Sequence, residues 1–365
     1  MRVVICGGGV IGACTAYFLS RRGIDVVVVE RAEVAAAASG KAGGFLALDW
    51  CAGSPLDALA RRSFALHAAL ASELAGDWGY GRTNAHAGFV VPERDVRRRK
   101  ASELAWLSDG VVIASRLGTA ETTAIVNPRK FTAAMMSAAQ QHGAGLRHAR
   151  ITGLMRDADG SAVTGVAVDG GVIAADAVVV ALGPWSLLAA GWMDLPAVFG
   201  RRSPSLVYDT GTDVPADALF LEYPEGGDVL TVEVFPRADG STHVTAFSGD
   251  APLPLDPGAV TPEPGEIDRL QAICERLSPA FRAERIIARQ ACFRPVTQDG
   301  LPLIGKVGEG AYVATGHSVW GILNAPATGE ALAELIADGA ARRTDLTPFD
   351  PARLPPLDPA LLRTR

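Results

Sequence analysis

Cysteine is scarce in this chain, and its cysteines do not pair. Cys6, Cys14, Cys51, Cys274 and Cys292 make an odd count of 5, with no ligand-like spacing. That argues against a disulfide framework or a zinc site and fits reduced thiols in a cytoplasm. Charge is also sparse, at 20% of residues, with 34 Lys and Arg against 40 Asp and Glu. The one basic run is RRRK at 97–100, so neither a nucleic acid nor an acidic membrane is expected as the main partner. No apolar run approaches the ~20 residues that cross a bilayer, so no membrane span is expected. There is no internal repeat and no low-complexity segment. The first strand should begin at residue 2, which leaves no room for a signal peptide ahead of it. The expected location is cytoplasmic.

What is present is apolar residue, at 48% of 365 positions, with 40 glycines. That length can bury a large core in two domains. The apolar run VVIC at 3–6 leads into Gly7-Gly8-Gly9-Val10-Ile11-Gly12 and then a helical stretch ending at Gly23. A second apolar run, DVVVVE, ends in Glu30, 18 residues beyond Gly12. This is G-x-G-x-x-G between a strand and a helix, with an acid at the next strand end. In that context it predicts a Rossmann-type dinucleotide site. Gly7 permits the tight turn, Gly9 lets the backbone approach a pyrophosphate, and Gly12 lets helix and strand pack closely. Val10 and Ile11 open the helix whose N-terminus stabilises phosphate charge. Glu30 is placed to accept hydrogen bonds from a ribose diol, which disfavours a 2′-phosphate and leaves FAD or NAD. A small-residue loop follows, Ser39-Gly40-Lys41-Ala42-Gly43-Gly44. Its backbone amides suit a long extended ligand, which favours FAD.

Farther along, Ser54-Pro55 reads as an N-cap and first-turn proline of a helix to about Ala75. Asn127-Pro128 opens another helix. Residues 151–182 read as a meander with Asp-Gly turns, ending in VVVALGPWS, where Gly183 puts flexible backbone beside a ligand. VLTVEVF and THVTAFSG form a second hairpin, and EIDRLQAICERL (266–277) an amphipathic helix. APLPLDPG at 251–258 reads as a surface connection. ACFRPVTQDGLPLIG, 291–305, places Arg294 inside an apolar strand with Cys292 two residues before it. TGHSVWGILNAPATGEALAELI, 315–336, reads as a loop entering the last helix, whose N-terminus should lie within about one turn of Pro326.

Four blocks together resemble the FAD-dependent amine oxidoreductases of the D-amino-acid-oxidase group. They are GGGVIG with Glu30, SGKAGG, VVVALGPWS, and the C-terminal pair CFRPVTQDGLPLIG and TGHSVWGILNAPATG. The resemblance spans nearly the whole chain in the expected order, while 201–290 matches only in general pattern. It implies an α/β fold, a Rossmann-type FAD-binding domain with a second α+β substrate domain carrying an antiparallel sheet. The FAD domain is expected from 1–78, 127–200 and 291–345, the substrate domain from 79–126 and 201–290, and an irregular tail from 346–365.

The resemblance also implies roles. Arg294 would grip a substrate carboxylate through two parallel hydrogen bonds. His317 and Trp320 would lie near the flavin ring, with His317 in a positional or electrostatic role. Backbone amides of Gly321, Ile322 and Leu323 would stabilise charge on the reduced flavin. Arg31, Gly183 and Trp185 join the cofactor set. Cys292 leaves two readings open: a covalent flavin link, as in the sarcosine-oxidase branch, or a buried thiol beside non-covalent FAD, which the rest of its block resembles more. His86 is a candidate near the flavin. Tyr208 and Tyr223 are candidates for substrate contact or for core packing.

The expected reaction is oxidation of the C–N bond of a small amino acid or N-substituted glycine, with hydride passing to flavin N5 and the imine then hydrolysed. The electron acceptor would be dioxygen or a quinone or other carrier. Two alternatives stay open: FAD-dependent oxidation of another carboxylated substrate, such as a 2-hydroxy acid or a biosynthetic intermediate, and a non-catalytic FAD-binding protein.

Overall fold

The strand Arg2–Cys6 sits inside a six-stranded sheet, between Asp25–Glu30 and Ala177–Val180, and is parallel to both. The computed structural model describes residues 1–92 and 104–362, so the basic run at 97–100 lies outside the described residues. Gly145–His148 extends the sheet on one side and Ala311–Thr315 on the other, with Leu303–Gly308 antiparallel at the edge. These strands are almost continuously apolar because both faces are covered. Val3, Ile5, Val26, Val28 and Val179 pack against the helices Val10–Ser20, Pro128–Gln141 and Gly321–Asp338. Val4, Cys6, Val29, Val178 and Val180 pack on the opposite side, toward a three-stranded antiparallel meander of Ile151–Arg156, Val163–Val168 and Gly171–Ala174.

A second sheet of eight strands is mainly antiparallel. Two of its strands show the alternation between two environments that the two-residue period of a strand produces. In Asp228–Pro236, Val232 and Val234 enter a core with the helix Glu266–Leu277, while Thr231, Glu233 and Phe235 face a cavity. In Phe199–Asp209, Leu206 and Tyr208 join that core, while Ser203 and Ser205 face the cavity. The cavity therefore lies between the parallel sheet's C-terminal strand ends and the polar face of the large sheet.

The structure departs from the expected element boundaries at several points. The strand Ile286–Val296 pairs along Phe199–Asp209 in the large sheet, so the boundaries drawn at 201 and 291 both cut through strands of that sheet. Thr123–Ile125 pairs with Phe45–Ala47 and Gly81–Arg82 in a small separate sheet. The helix after Ser54-Pro55 begins later, at Asp57, because the Ser54 hydroxyl accepts from the Leu56 amide in a preceding turn. The last run of the meander divides: Gly171–Ala174 closes it, and Ala177–Val180 crosses into the parallel sheet. In the tail, Phe349 is buried in the main core and Arg353 bonds Asp299 across short 3-10 turns.

Candidate active site

The cavity holds about 930 Å³, at the upper end of the range for ligand sites. At one end is the glycine turn. Gly7 has φ +109°, and a Cβ there would stand 2.5 Å from the Ala181 carbonyl oxygen. A Cβ on Gly12 would stand 2.0 Å from the Gly7 carbonyl oxygen. Only glycine fits either position, and the result is a helix N-terminus capped by Gly9, which has no side chain to occupy the free N–H groups. Gly7, Gly9, Val10 and Ile11 line the cavity, and Gly12 packs behind them. Glu30 lines it too, accepting from the Gly8 amide at 2.7 Å and the Ala32 amide at 2.8 Å. Ser39 accepts from Val10 N–H at 2.9 Å, which ties the small-residue loop to the helix start. A cradle of this shape, with an acid at the second strand end and free N–H groups at a helix start, fits a dinucleotide with a pyrophosphate.

Ala42, Gly43 and Gly44 also reach the wall. Arg237 holds the Ala42 carbonyl at 2.8 Å and the Gly43 carbonyl at 3.2 Å, so this buried guanidinium acts on the loop from the large sheet. Gly40 faces the Ala35 carbonyl and is off the wall. Arg31 and Trp185 line the cavity and reach the 251–258 connection: Arg31 donates to the Leu255 carbonyl and pairs with Asp256, and Trp185 Nε1 donates to the Pro254 carbonyl at 2.7 Å. That connection is thus part of the cavity wall through Leu255 and Pro257, not merely a surface link. Gly183 lines the cavity, and its carbonyl accepts from Thr315 Oγ1.

At the other end, Trp320, Gly321 and Ile322 present the start of the last helix to the cavity. Leu323 points into the core at 1% exposure instead. Pro326 is inside the helix and cannot donate to the Ile322 carbonyl. The buried His67 fills that gap: its Nε2 lies 3.0 Å from the Ile322 oxygen and 3.2 Å from the Leu323 oxygen. Ser63 Oγ accepts from the Ala327 amide at 3.1 Å. Burial pushes His67 down to about 4, so it is neutral and its Nε2–H donates to both carbonyls. His317 is also buried, bonded to Thr328 Oγ1 at 3.1 Å and pushed down to about 3 by burial. It carries no charge near neutral pH.

Arg294 and Cys292 face the cavity from Ile286–Val296. Arg294 Nε is buried without a hydrogen-bond partner, and burial holds the guanidinium below its ordinary range while Glu233 opposes that shift. The Cys292 thiol is raised by burial, with Lys41 and Arg294 opposing. Sequence reasoning missed several wall residues: Glu233, His243, and an aromatic group of Phe45, Trp50 and Phe235. Phe45 stacks on Phe235 with centroids 5.6 Å apart, and Trp50 meets Trp320 edge-on at 6.4 Å. Strand alternation around Val232 and Val234 could have flagged Glu233 and Phe235. Tyr208 bonds Gln271 and Tyr223 accepts from Arg276, both in the second core, and His86 is likewise off the wall.

Residues 2–335 match a family model described as FAD dependent oxidoreductase. A relative in Schizosaccharomyces pombe is 28% identical, over 96% of this chain and 97% of its own length. A glycine oxidase of Pseudomonas putida is 28% identical, over 96% of this chain and 98% of its own length. The crystal structure of glycine oxidase from Geobacillus kaustophilus superposes with a TM-score of 0.78 at 26% identity, covering 96% of this chain and 99% of that one. Among the described residues no helix is long and apolar enough to cross a membrane.

Proposed function

The chain belongs to the FAD dependent oxidoreductase family, and from that premise we propose that it oxidises the C–N bond of a small carboxylated amine, an amino acid or N-substituted glycine. One observation carries this reading: Arg294 offers a partly buried guanidinium, with no hydrogen-bond partner at Nε, to the cavity that the glycine turn shares. A partly buried cation that forms no salt bridge is costly, so the position suits a ligand carboxylate. The likeness to glycine oxidases supports the same class. When bound, FAD supplies the acceptor for hydride from the carbon beside nitrogen, and the imine then hydrolyses in water.

The protein's own part is binding and electrostatics. Arg294 holds the carboxylate by two parallel charge-assisted hydrogen bonds, which fixes the substrate's orientation. The helix start at Gly321 and Ile322 directs N–H groups and the positive end of its dipole into the cavity, where they stabilise negative charge that develops there. Phe45, Trp50 and Phe235 exclude water from the same space. Neutral His317 positions the turn through Thr328 rather than adding charge.

The test is anaerobic mixing of the FAD-loaded protein with glycine, sarcosine, D-alanine, D-aspartate, proline and their hydroxy-acid analogues, followed by flavin absorption. Bleaching by a carboxylated amine establishes the reading and names the substrate class. Bleaching by a hydroxy acid alone, or by nothing, overturns it. Admission of dioxygen or a quinone to the bleached protein then identifies the acceptor.

A further inference from the structure

The large sheet turns a carboxylate toward the cavity as well as a guanidinium. Glu233 lies between Val232 and Val234, which belong to the opposite core, so strand alternation sends its side chain to the cavity face. Its strand neighbour is Thr245, whose hydroxyl is committed to the Pro204 carbonyl at 2.8 Å. Among the described residues no hydrogen bond or ion pair engages the Glu233 carboxylate, and the charge that acts on it is Arg294.

Of the other charged side chains on this wall, Glu30, Arg31 and Arg150 have protein partners, while among the described residues the Lys41 ammonium, beside Cys292, has no hydrogen bond or ion pair. Glu30 takes the Gly8 and Ala32 amides, and Arg31 takes the Leu255 carbonyl and Asp256. Glu233 and Arg294 thus face one space with opposite signs and without forming a salt bridge. Burial raises the Glu233 carboxyl and lowers the Arg294 guanidinium, so each gains from a counter-charge brought between them. A molecule that carries both signs a few bonds apart satisfies both at once.

We propose that Glu233 receives the cationic nitrogen of a zwitterionic substrate whose carboxylate rests on Arg294, and that it thereby selects amino acids over 2-hydroxy acids. This rests on the proposed carboxylate clamp. A hydroxy acid offers a neutral O–H where Glu233 needs a cation, and leaves a desolvated carboxylate incompletely compensated. A site built around a buried polar group discriminates strongly against an analogue that cannot satisfy it.

The experiment uses two unreactive ligands of the same shape on FAD-loaded protein. Trimethylglycine has a carboxylate and a fixed positive charge, with no nitrogen lone pair. 3,3-Dimethylbutanoate replaces the charged nitrogen by carbon. Dissociation constants are read from the perturbed flavin absorption. Wild type should bind trimethylglycine at least about tenfold more tightly. Glu233→Gln should bring the two constants within about twofold of each other while 3,3-dimethylbutanoate still binds. Equal binding of the two by wild type, both weakened by Arg294→Ala, would overturn the role of Glu233 and leave the clamp standing. So would a preference that survives in Glu233→Gln. Absence of binding by both ligands, or binding that Arg294→Ala leaves unchanged, would overturn the clamp and this inference with it. If Glu233→Gln does not retain FAD, the wild-type ratio decides alone.

Discussion

The two ends of the cavity are built by opposite means. The glycine turn after Arg2–Cys6 works through backbone: N–H groups, a helix start and the absence of Cβ atoms at Gly7 and Gly12. The face of the large sheet works through side chains, with Ser203, Glu233 and Arg294 brought together from separate strands. Backbone binding needs consecutive residues in one conformation, so it leaves a compact motif. Side-chain binding needs only that each strand place one residue on the right face, so its signal is spread over about a hundred residues of sequence.

The largest effect is expected at the backbone end. Gly12→Ala should cost on the order of 3 kcal/mol, because its Cβ meets the Gly7 carbonyl oxygen at 2.0 Å and the backbone must shift. The expected outcome is protein isolated without yellow colour and with a lowered melting temperature. A folded, FAD-replete variant would mean that the turn tolerates a side chain. At the side-chain end, Arg294→Ala should keep FAD and fold. It should lose roughly a hundredfold in kcat/KM for a carboxylated amine, about 3 kcal/mol for removing one partner of a buried charge pair. Loss of FAD together with activity would place Arg294 in the fold rather than in the substrate site.

A third change lies behind the last helix, whose start lines the cavity. His67→Ala leaves the Ile322 carbonyl, already deprived of a donor by Pro326, without its partner, and should cost about 2 kcal/mol in urea unfolding. The dependence on pH has a definite sign. The folded-state value of His67 is about 4 against 6.5 when free, so the unfolded chain binds more protons between those values. The contribution of neutral His67 is therefore complete above about pH 6.5 and is lost as pH falls toward about 4. The stability gap between wild type and His67→Ala should narrow over that window, and a gap that widens on acidification would contradict a neutral donor. The smallest effect is expected at Cys292, whose raised thiol stays protonated. Acid precipitation should release all the flavin, and Cys292→Ser should change FAD content by less than about twofold, since loss of a buried thiol chiefly alters packing.

Much of the first end was legible in the chain itself. Gly7, Gly9, Gly12 and Glu30 announced the turn, and Arg294 stood out as a charge inside an apolar strand. Gly40 and Leu323 do not line the cavity: a Cβ at Gly40 would meet the Ala35 carbonyl, and the Leu323 side chain packs into the core. The 251–258 connection gave little sign that Arg31 and Trp185 would hold it against the cavity, because apart from the Arg31–Asp256 pair the bonds go to its carbonyls, which any residue carries. Nothing in the sequence marks the role of His67, since its partner is a carbonyl freed by a proline 259 positions away at Pro326.

The parallel sheet, the dinucleotide turn and the partly buried Arg294 were all readable from the chain. Those follow from local pattern: apolar runs, glycine spacing and one misplaced charge. Only the folded chain shows that Glu233 and Arg294 share one cavity, that Phe45, Trp50 and Phe235 form one wall, and that His67 completes the last helix. The reason is physical. Strand order and register decide which distant residues share a face, and they are settled by the packing of whole sheets rather than by any short stretch of chain.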